Sequence, residues 1–372
     1  MPVQQPPVSL DRNTPALALS GGGFRATLYH CGALKRLNEM GMLSKITRIS
    51  SVSGGSIASG MLAAKWPKLA LANGVFTNLD AEVIEPLREF CRRDIDQAAV
   101  GWGSILPGKT IGDVLADAYD EHLFGGKSLQ DLPDSPQFVF NATNLQTGRL
   151  VRMQKSRLVE YTLGRIHAPD IRLAVAVAAS SAFPPVLSPV TLKVNPALWQ
   201  DMPGTRHFGD PQYNHTLSLT DGGAYDNLGL ETVDDFNPVI VSDAGAPFGA
   251  EASASSLWPK QALRALDIAT DQSRGLRKRL LFAEATASGR KIAFAAINGD
   301  PVQFSAAHAL PVSPAIVEPL AAIRTRLNTF NAMEQGRLIN WGWWMMDVAM
   351  RGHLLPESPA PTKWPVSDFP LS

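Results

Sequence analysis

The sequence predicts an α/β protein with a mainly parallel central sheet flanked by helices. Short apolar runs rich in β-branched residues alternate with longer runs of helical periodicity, the usual mark of strands joined by crossover helices. Glycines stand where the first strands would turn into helices. A 45% hydrophobic and 18% charged composition over 372 residues suits one large packed core.

In chain order, "PALALS" (15–20) reads as a short buried strand, "GGG" as its turn, and "FRATLYHCGALKRLNEMGML" as a helix with apolar residues at helical spacing. "ITRISSVS" (46–53) is the next strand, with a helix of small residues behind it. Residues 66–135 read as an insertion of mixed helix and loop. "QFVFNATNL" (137–145) and "RLVRMQ" (149–154) form a hairpin across Gln146, Thr147 and Gly148. "IRLAVAVAASSAF" (171–183) is expected as a buried helix, "HTLSLT" as a strand before Asp221, and "NPVIVSDAG" (237–245) and "KIAFAAIN" (291–298) as further strands. Most of 314–352 is helical in pattern, whereas 1–12 and 356–372 are proline-rich and irregular. No internal repeat is present.

Thirty-four basic residues balance thirty-four acidic ones, so no global field draws the chain to nucleic acid or an anionic membrane. Cys31 and Cys91 show neither metal-ligand spacing nor a disulfide framework, which points to a reducing compartment. The amino terminus lacks a signal-peptide pattern, and no apolar run reaches the eighteen or so residues of a membrane span. The expectation is a soluble, cytoplasmic protein, peripheral to membranes at most. "WGWWMMDVAM" (341–350) is short and holds Asp347. It reads as an internal helix, with a chain-lining or bilayer-touching surface as the alternative. "CRRD" (91–94) and "RGLRKR" (274–279) read as solvated helix faces, contact with anionic headgroups being the alternative.

Three motifs carry chemistry. In "SGGGFRA" (20–26), three glycines let the backbone turn tightly and aim N–H groups at one spot beside a helix N-terminus. That suits an oxyanion hole; a plain glycine turn or a phosphate loop is the alternative, although the dinucleotide and P-loop spacings are absent. In "SVSGGS" (51–56), Ser53 occupies the nucleophile position of a strand-to-helix elbow, with Ser51 where a glycine commonly stands; helix capping is the alternative. In "LTDGGAYDNLGLE" (219–231), Asp221 could accept a serine proton, or simply form an Asp-Gly turn. Asp226 and Asn227 read as ordinary turn or cap residues.

Together and in this order, "SGGGFRA", "SVSGGS", the Ala178–Pro185 stretch "AASSAFPP" and "DGG" at 221–223 resemble the patatin-like phospholipases, serine lipid acyl hydrolases with a Ser–Asp dyad. The first two motifs also look like their cytosolic phospholipase A2 versions. The resemblance runs from about 15 to 245 and implies a three-layer patatin-like fold. It implies Ser53 as nucleophile, Asp221 as base, and the Gly21, Gly22 and Gly23 backbone as oxyanion hole. Arg25 is implied as an anchor of that loop or a ligand of lipid phosphate. Ser51 and Ser20 depart from the family pattern toward other small residues.

A catalytic domain over 12–300 is expected, with a helical extension over 301–355 packed on it. The expected substrate is a lipid or a membrane surface, with no nucleic acid partner, no cofactor and no metal; the oligomeric state stays open. Two other readings stand beside the lipid hydrolase. One is a general esterase or thioesterase with a Ser–Asp–His triad through His308, and the other a non-catalytic lipid-binding scaffold.

Overall fold

A computed structural model describes residues 11–96, 110–303 and 306–372. Residues 97–109 of the expected insertion, and most of the irregular amino terminus, lie outside the described residues. The strands are β1 (Ala16–Leu19), β2 (Arg48–Ser51), β3 (Leu71–Ala72), β4 (Val75–Phe76), β5 (Gln137–Asn144), β6 (Arg149–Gln154), β7 (Arg157–Glu160), β8 (Gly164–His167), β9 (Val190–Lys193), β10 (Trp199–Gln200), β11 (Thr216–Asp221), β12 (Val239–Asp243) and β13 (Ile292–Ala296). The principal helices are α1 (Gly23–Glu39), α2 (Gly54–Lys65), α3 (Glu85–Phe90), α4 (Ile111–Tyr119), α5 (Leu173–Ser181), α6 (Gly223–Asp226), α7 (Trp258–Ser288), α8 (Pro314–Ala322) and α9 (Ala332–His353).

The expected α/β fold is present. β5, β2, β1, β12 and β13 lie side by side and all run parallel. Beyond β5 the sheet continues antiparallel through β6, β7, β8 and β10, while β11 pairs with the second half of β5 on its other side and carries β9. Of this extension, the β5–β6 hairpin and the strand before Asp221, β11, were expected.

Every residue of β1 is buried, as a sheet covered on both faces requires, and its side chains alternate between the two faces. Leu17 and Leu19 join the large core under α1, α2, α5 and α9, while Ala16 and Ala18 join a smaller core on the opposite face. α7 lies over that second face, with Leu281 its single buried residue. The basic run 274–279 within α7 is not merely solvated, because Arg274 pairs with Asp243 at 3.3 Å and Arg277 with Asp226 at 3.6 Å.

"WGWWMMDVAM" is an internal helix. Within α9, Trp341 and Trp344 stack at 5.3 Å, and Asp347 is enclosed by Arg36 and Arg351. α9 meets α1 backbone to backbone at Gly342, where an added Cβ would fall 1.9 Å from the Tyr29 carbonyl oxygen. No described helix is long and apolar enough to cross a membrane.

Candidate active site

Strand register builds the site. β2 runs parallel to the first half of β5 and ends with Ser51 opposite Phe140. β11 runs antiparallel to the second half of β5 and ends with Asp221 opposite Ala142. Two strands travelling toward each other along one template therefore stop on either side of Asn141. Ser53 and Asp221, far apart in sequence, are delivered to the same place. Asn141 secures both ends: its Nδ2 donates to Ser50 Oγ and to Ser51 O, each at 2.9 Å, and its carbonyl accepts from Ser180 Oγ at 2.6 Å.

Ser53 sits between β2 and α2 at φ 51° and ψ −121°, a conformation a serine adopts only under constraint. The constraint is visible: its N–H donates to both the carbonyl and the hydroxyl of Ser180 at 3.1 Å. The same Ser180 carbonyl accepts from Gly222 N at 3.2 Å, so one residue of α5 ties the two converging ends together. Gly54 must be glycine, since a Cβ there would lie 2.1 Å from the Gly23 carbonyl oxygen. Ser51 is accommodated because its hydroxyl is absorbed in a buried network, accepting from Ser56 at 3.0 Å and Ser59 at 2.7 Å.

Asp221 is 3% exposed. Burial pushes its carboxyl up to about 6, opposed by the Gly223 N–H and then by the Ser53 hydroxyl. Oδ1 accepts from Gly223 N at 2.7 Å, whereas Oδ2 accepts no hydrogen bond of ordinary geometry among the described residues. A nearby hydroxyl and an unspent, partly desolvated carboxylate oxygen can exchange a proton once the serine rotates.

The glycine loop departs from expectation at one position. The Gly21 N–H donates to the Asn227 carbonyl at 3.0 Å, so it is not free to meet an oxyanion. The N–H groups of Gly22 and Gly23 meet no acceptor among the described residues and remain available. Asn227 is also more than a turn residue. A Cβ on Gly21 would fall 2.3 Å from Asn227 Oδ1 and 3.1 Å from Ser53 Cβ, which puts this amide beside the serine. Asp226 does act as a local cap, accepting from Leu228 N and Glu231 N.

Arg25 is buried and spends its guanidinium on carbonyl oxygens: Ala321 and Ile323 at 2.8 Å and Ala244 at 2.7 Å. Burial lowers its pKa to about 10, with Asp243 partly compensating. These contacts pin the start of α1 to the chain after β12 and to the end of α8, which is the anchoring arrangement. Behind the loop, His30 is wholly buried. Its Nε2 faces the Ser20 carbonyl at 2.9 Å and must carry the proton, leaving Nδ1 to accept from Ser242 Oγ at 2.8 Å. Burial brings its pKa down to about 4, so it is neutral. His308 is exposed on a loop whose neighbours Ala307 and Leu310 accept from Arg351 and Trp344 of α9. No histidine is hydrogen-bonded to Ser53 or Asp221 among the described residues.

An α/β core brings together a constrained serine, a partly desolvated aspartate and a glycine turn. The family model for patatin-like phospholipase matches residues 17–234, and the chain belongs to that family. No curated protein matches it closely enough to be counted as a relative. Human GIVD cytosolic phospholipase A2 has a similar fold at 13% identity and a TM-score of 0.52, over 92% of this chain and 59% of that enzyme. Its complex with methyl gamma-linolenyl fluorophosphonate and terbium chloride matches at 15% identity and 0.50, over 92% of this chain and 58% of the other. VipD from Legionella pneumophila matches over 93% of this chain and 68% of its own length at 14% identity, with a TM-score of 0.38 that carries no argument. This chain thus spans less than two thirds of the human enzyme's length.

Proposed function

We propose that the protein hydrolyses carboxylic esters of lipids, glycerophospholipids foremost, through an acyl intermediate on Ser53. The observation that carries this reading is the convergence of Ser53 and Asp221 on Asn141, beside two unspent backbone N–H groups. Asp221 Oδ2 takes the hydroxyl proton as Ser53 Oγ attacks the ester carbonyl. The Gly22 and Gly23 N–H groups receive the developing oxyanion. Collapse expels the alcohol, which regains the proton from Asp221, and leaves acyl-Ser53. Water then repeats the sequence with Asp221 as base, releasing fatty acid and restoring the serine. A carboxylate is a weak base for a hydroxyl, and a pKa near 6 narrows that gap while leaving the group ionised at neutral pH.

The family supplies the substrate class, and the surface beside the site agrees with it. Phe183 and Val186, 54% and 44% exposed, lie within four residues of Ala182, whose carbonyl accepts the Asp221 N–H at 3.0 Å. Apolar side chains there suit a lipid aggregate met from the cytoplasm by a peripheral protein. The test is fatty-acid release from phosphatidylcholine vesicles. Ser53→Ala is expected to lower it about a thousandfold or more while the fold persists. Retention of more than a few per cent of the rate would place the chemistry elsewhere.

A further inference from the structure

The far end of β2 holds a second feature that ester hydrolysis does not use. A cavity of about 110 Å³ is lined by Arg48, Arg152, Arg157, Arg165, Gln154 and Thr232. The sheet register puts these arginines on one face. Arg48 pairs with Gln137 of β5, Asn141 of β5 with Arg152, Arg152 with Val159, and Val159 with Arg165, while Gln154 pairs with Arg157. Four of five adjacent strands, β2, β6, β7 and β8, thus turn one guanidinium each toward one space. At five residues before Ser53 and about 3.3 Å per residue, Arg48 lies roughly 16 Å from the serine.

The counter-charges do not suffice. Glu231 pairs with Arg152 at 2.8 Å and is shared with Arg277, and Asp235 is taken by Arg12. Arg48 is only 7% exposed, and its hydrogen bonds go to two neutral acceptors, Thr232 O at 3.1 Å and Gln137 Oε1 at 2.7 Å. Its Nε and that of Arg165 are buried without a partner, and Arg157 has no hydrogen bond or carboxylate partner among the described residues. Burial lowers the pKa of Arg48 to about 10, and burial also lowers that of Arg157, with neighbouring arginines adding to both effects. Guanidiniums crowded together with idle donors call for an anion of high charge and several acceptor oxygens. The cavity has room for about three or four waters at roughly 30 Å³ each, which fits one tetrahedral oxyanion.

We propose that this arginine-lined cavity is a binding site for a terminal phosphate group, whether free inorganic phosphate or the monoester headgroup of a lipid. The test combines thermal unfolding in inorganic phosphate, against chloride of equal ionic strength, with sedimentation on vesicles of ether-linked phosphatidylcholine with or without ether-linked phosphatidic acid. Ether lipids cannot be cleaved by an ester hydrolase, so the result is independent of the proposed activity. Phosphate is expected to raise the Tm of the wild-type protein by several degrees. Arg157→Gln/Arg165→Gln is expected to have a higher Tm than wild type in chloride, because repulsion is relieved, and to lose phosphate affinity at least tenfold. Merely structural arginines would give the opposite sign in chloride. The single variant Arg157→Gln, at a half-buried position, gives the same readouts if the double variant does not fold. Retention on phosphatidic acid vesicles that is lost in the variant identifies the lipid headgroup as the source. A phosphate response without such retention identifies the free ion. The absence of both responses in the wild-type protein, or their persistence in the variants, overturns the proposal.

Discussion

At the scale of single residues, Asp221 carries opposing demands. Its folded pKa of about 6 lies above the roughly 3.9 of an unfolded aspartate, so the native state holds the proton more tightly. Stability therefore falls as pH rises between those values, and the whole penalty persists above pH 6, on the order of 2–3 kcal/mol. Asp221→Asn is expected to raise the Tm at pH 8 while abolishing ester hydrolysis. In the wild-type protein kcat/KM is expected to rise with pH through about 6, as the base form accumulates. A stability loss at pH 8, or a flat profile from pH 5 to 8, would contradict this account. Arg25 gives a second test at this scale. Because its donors end on Ala244, Ala321 and Ile323, Arg25→Lys is expected to depress kcat/KM for a phospholipid and for a p-nitrophenyl ester in equal proportion. A loss confined to the phospholipid would move Arg25 into the substrate site. Ser53, Asp221 and the glycines were legible because reactive and turn-forming residue types cluster at strand ends. Asn141, Ser180 and His30 were not, because they act through register and burial that no local pattern records. Asn227 was misjudged for a related reason, since an asparagine after an aspartate ordinarily just closes a turn.

At the scale of elements, α9 shows how two glycines of one helix take opposite signs. Gly342 faces Tyr29 of α1, where a Cβ would meet the carbonyl oxygen at 1.9 Å, whereas nothing lies within 4 Å of a Cβ on Gly352. Gly342→Ala is expected to cost about 2–3 kcal/mol by forcing the helices apart. Gly352→Ala is expected to be neutral or to add up to about 1 kcal/mol through helix propensity. Chemical denaturation of the two variants checks the pair, and similar changes in both would refute the close contact. α1, α2, β1, β2 and the β5–β6 hairpin were readable because their periodicity is uninterrupted and their turns contain glycine. The four-residue strands β7 and β8 offered a weaker signal, alternating side chains around "YTLG". α7 was seen only as a basic run, because just one of its residues is buried and its apolar pattern is diluted.

At the scale of the whole molecule, the parallel center and the antiparallel extension divide the labour. The first supplies the elbow and the glycine turn; the second carries Asp221 in from the opposite direction. We take residues 12–300 as the catalytic domain and 301–355 as its extension. α8 and α9 then serve the site at a distance, holding Arg25 through Ala321 and Ile323 and covering α1. The central claim is that one serine, activated by one aspartate, forms the acyl enzyme. Intact-mass measurement after treatment with a lipid-like fluorophosphonate tests it most directly, with peptide mapping of the adduct. The account predicts a single adduct on Ser53 in the wild-type protein, no adduct in Ser53→Ala, and labelling slowed at least a hundredfold in Asp221→Asn. An adduct on another residue, or undiminished labelling of Ser53→Ala, would contradict it.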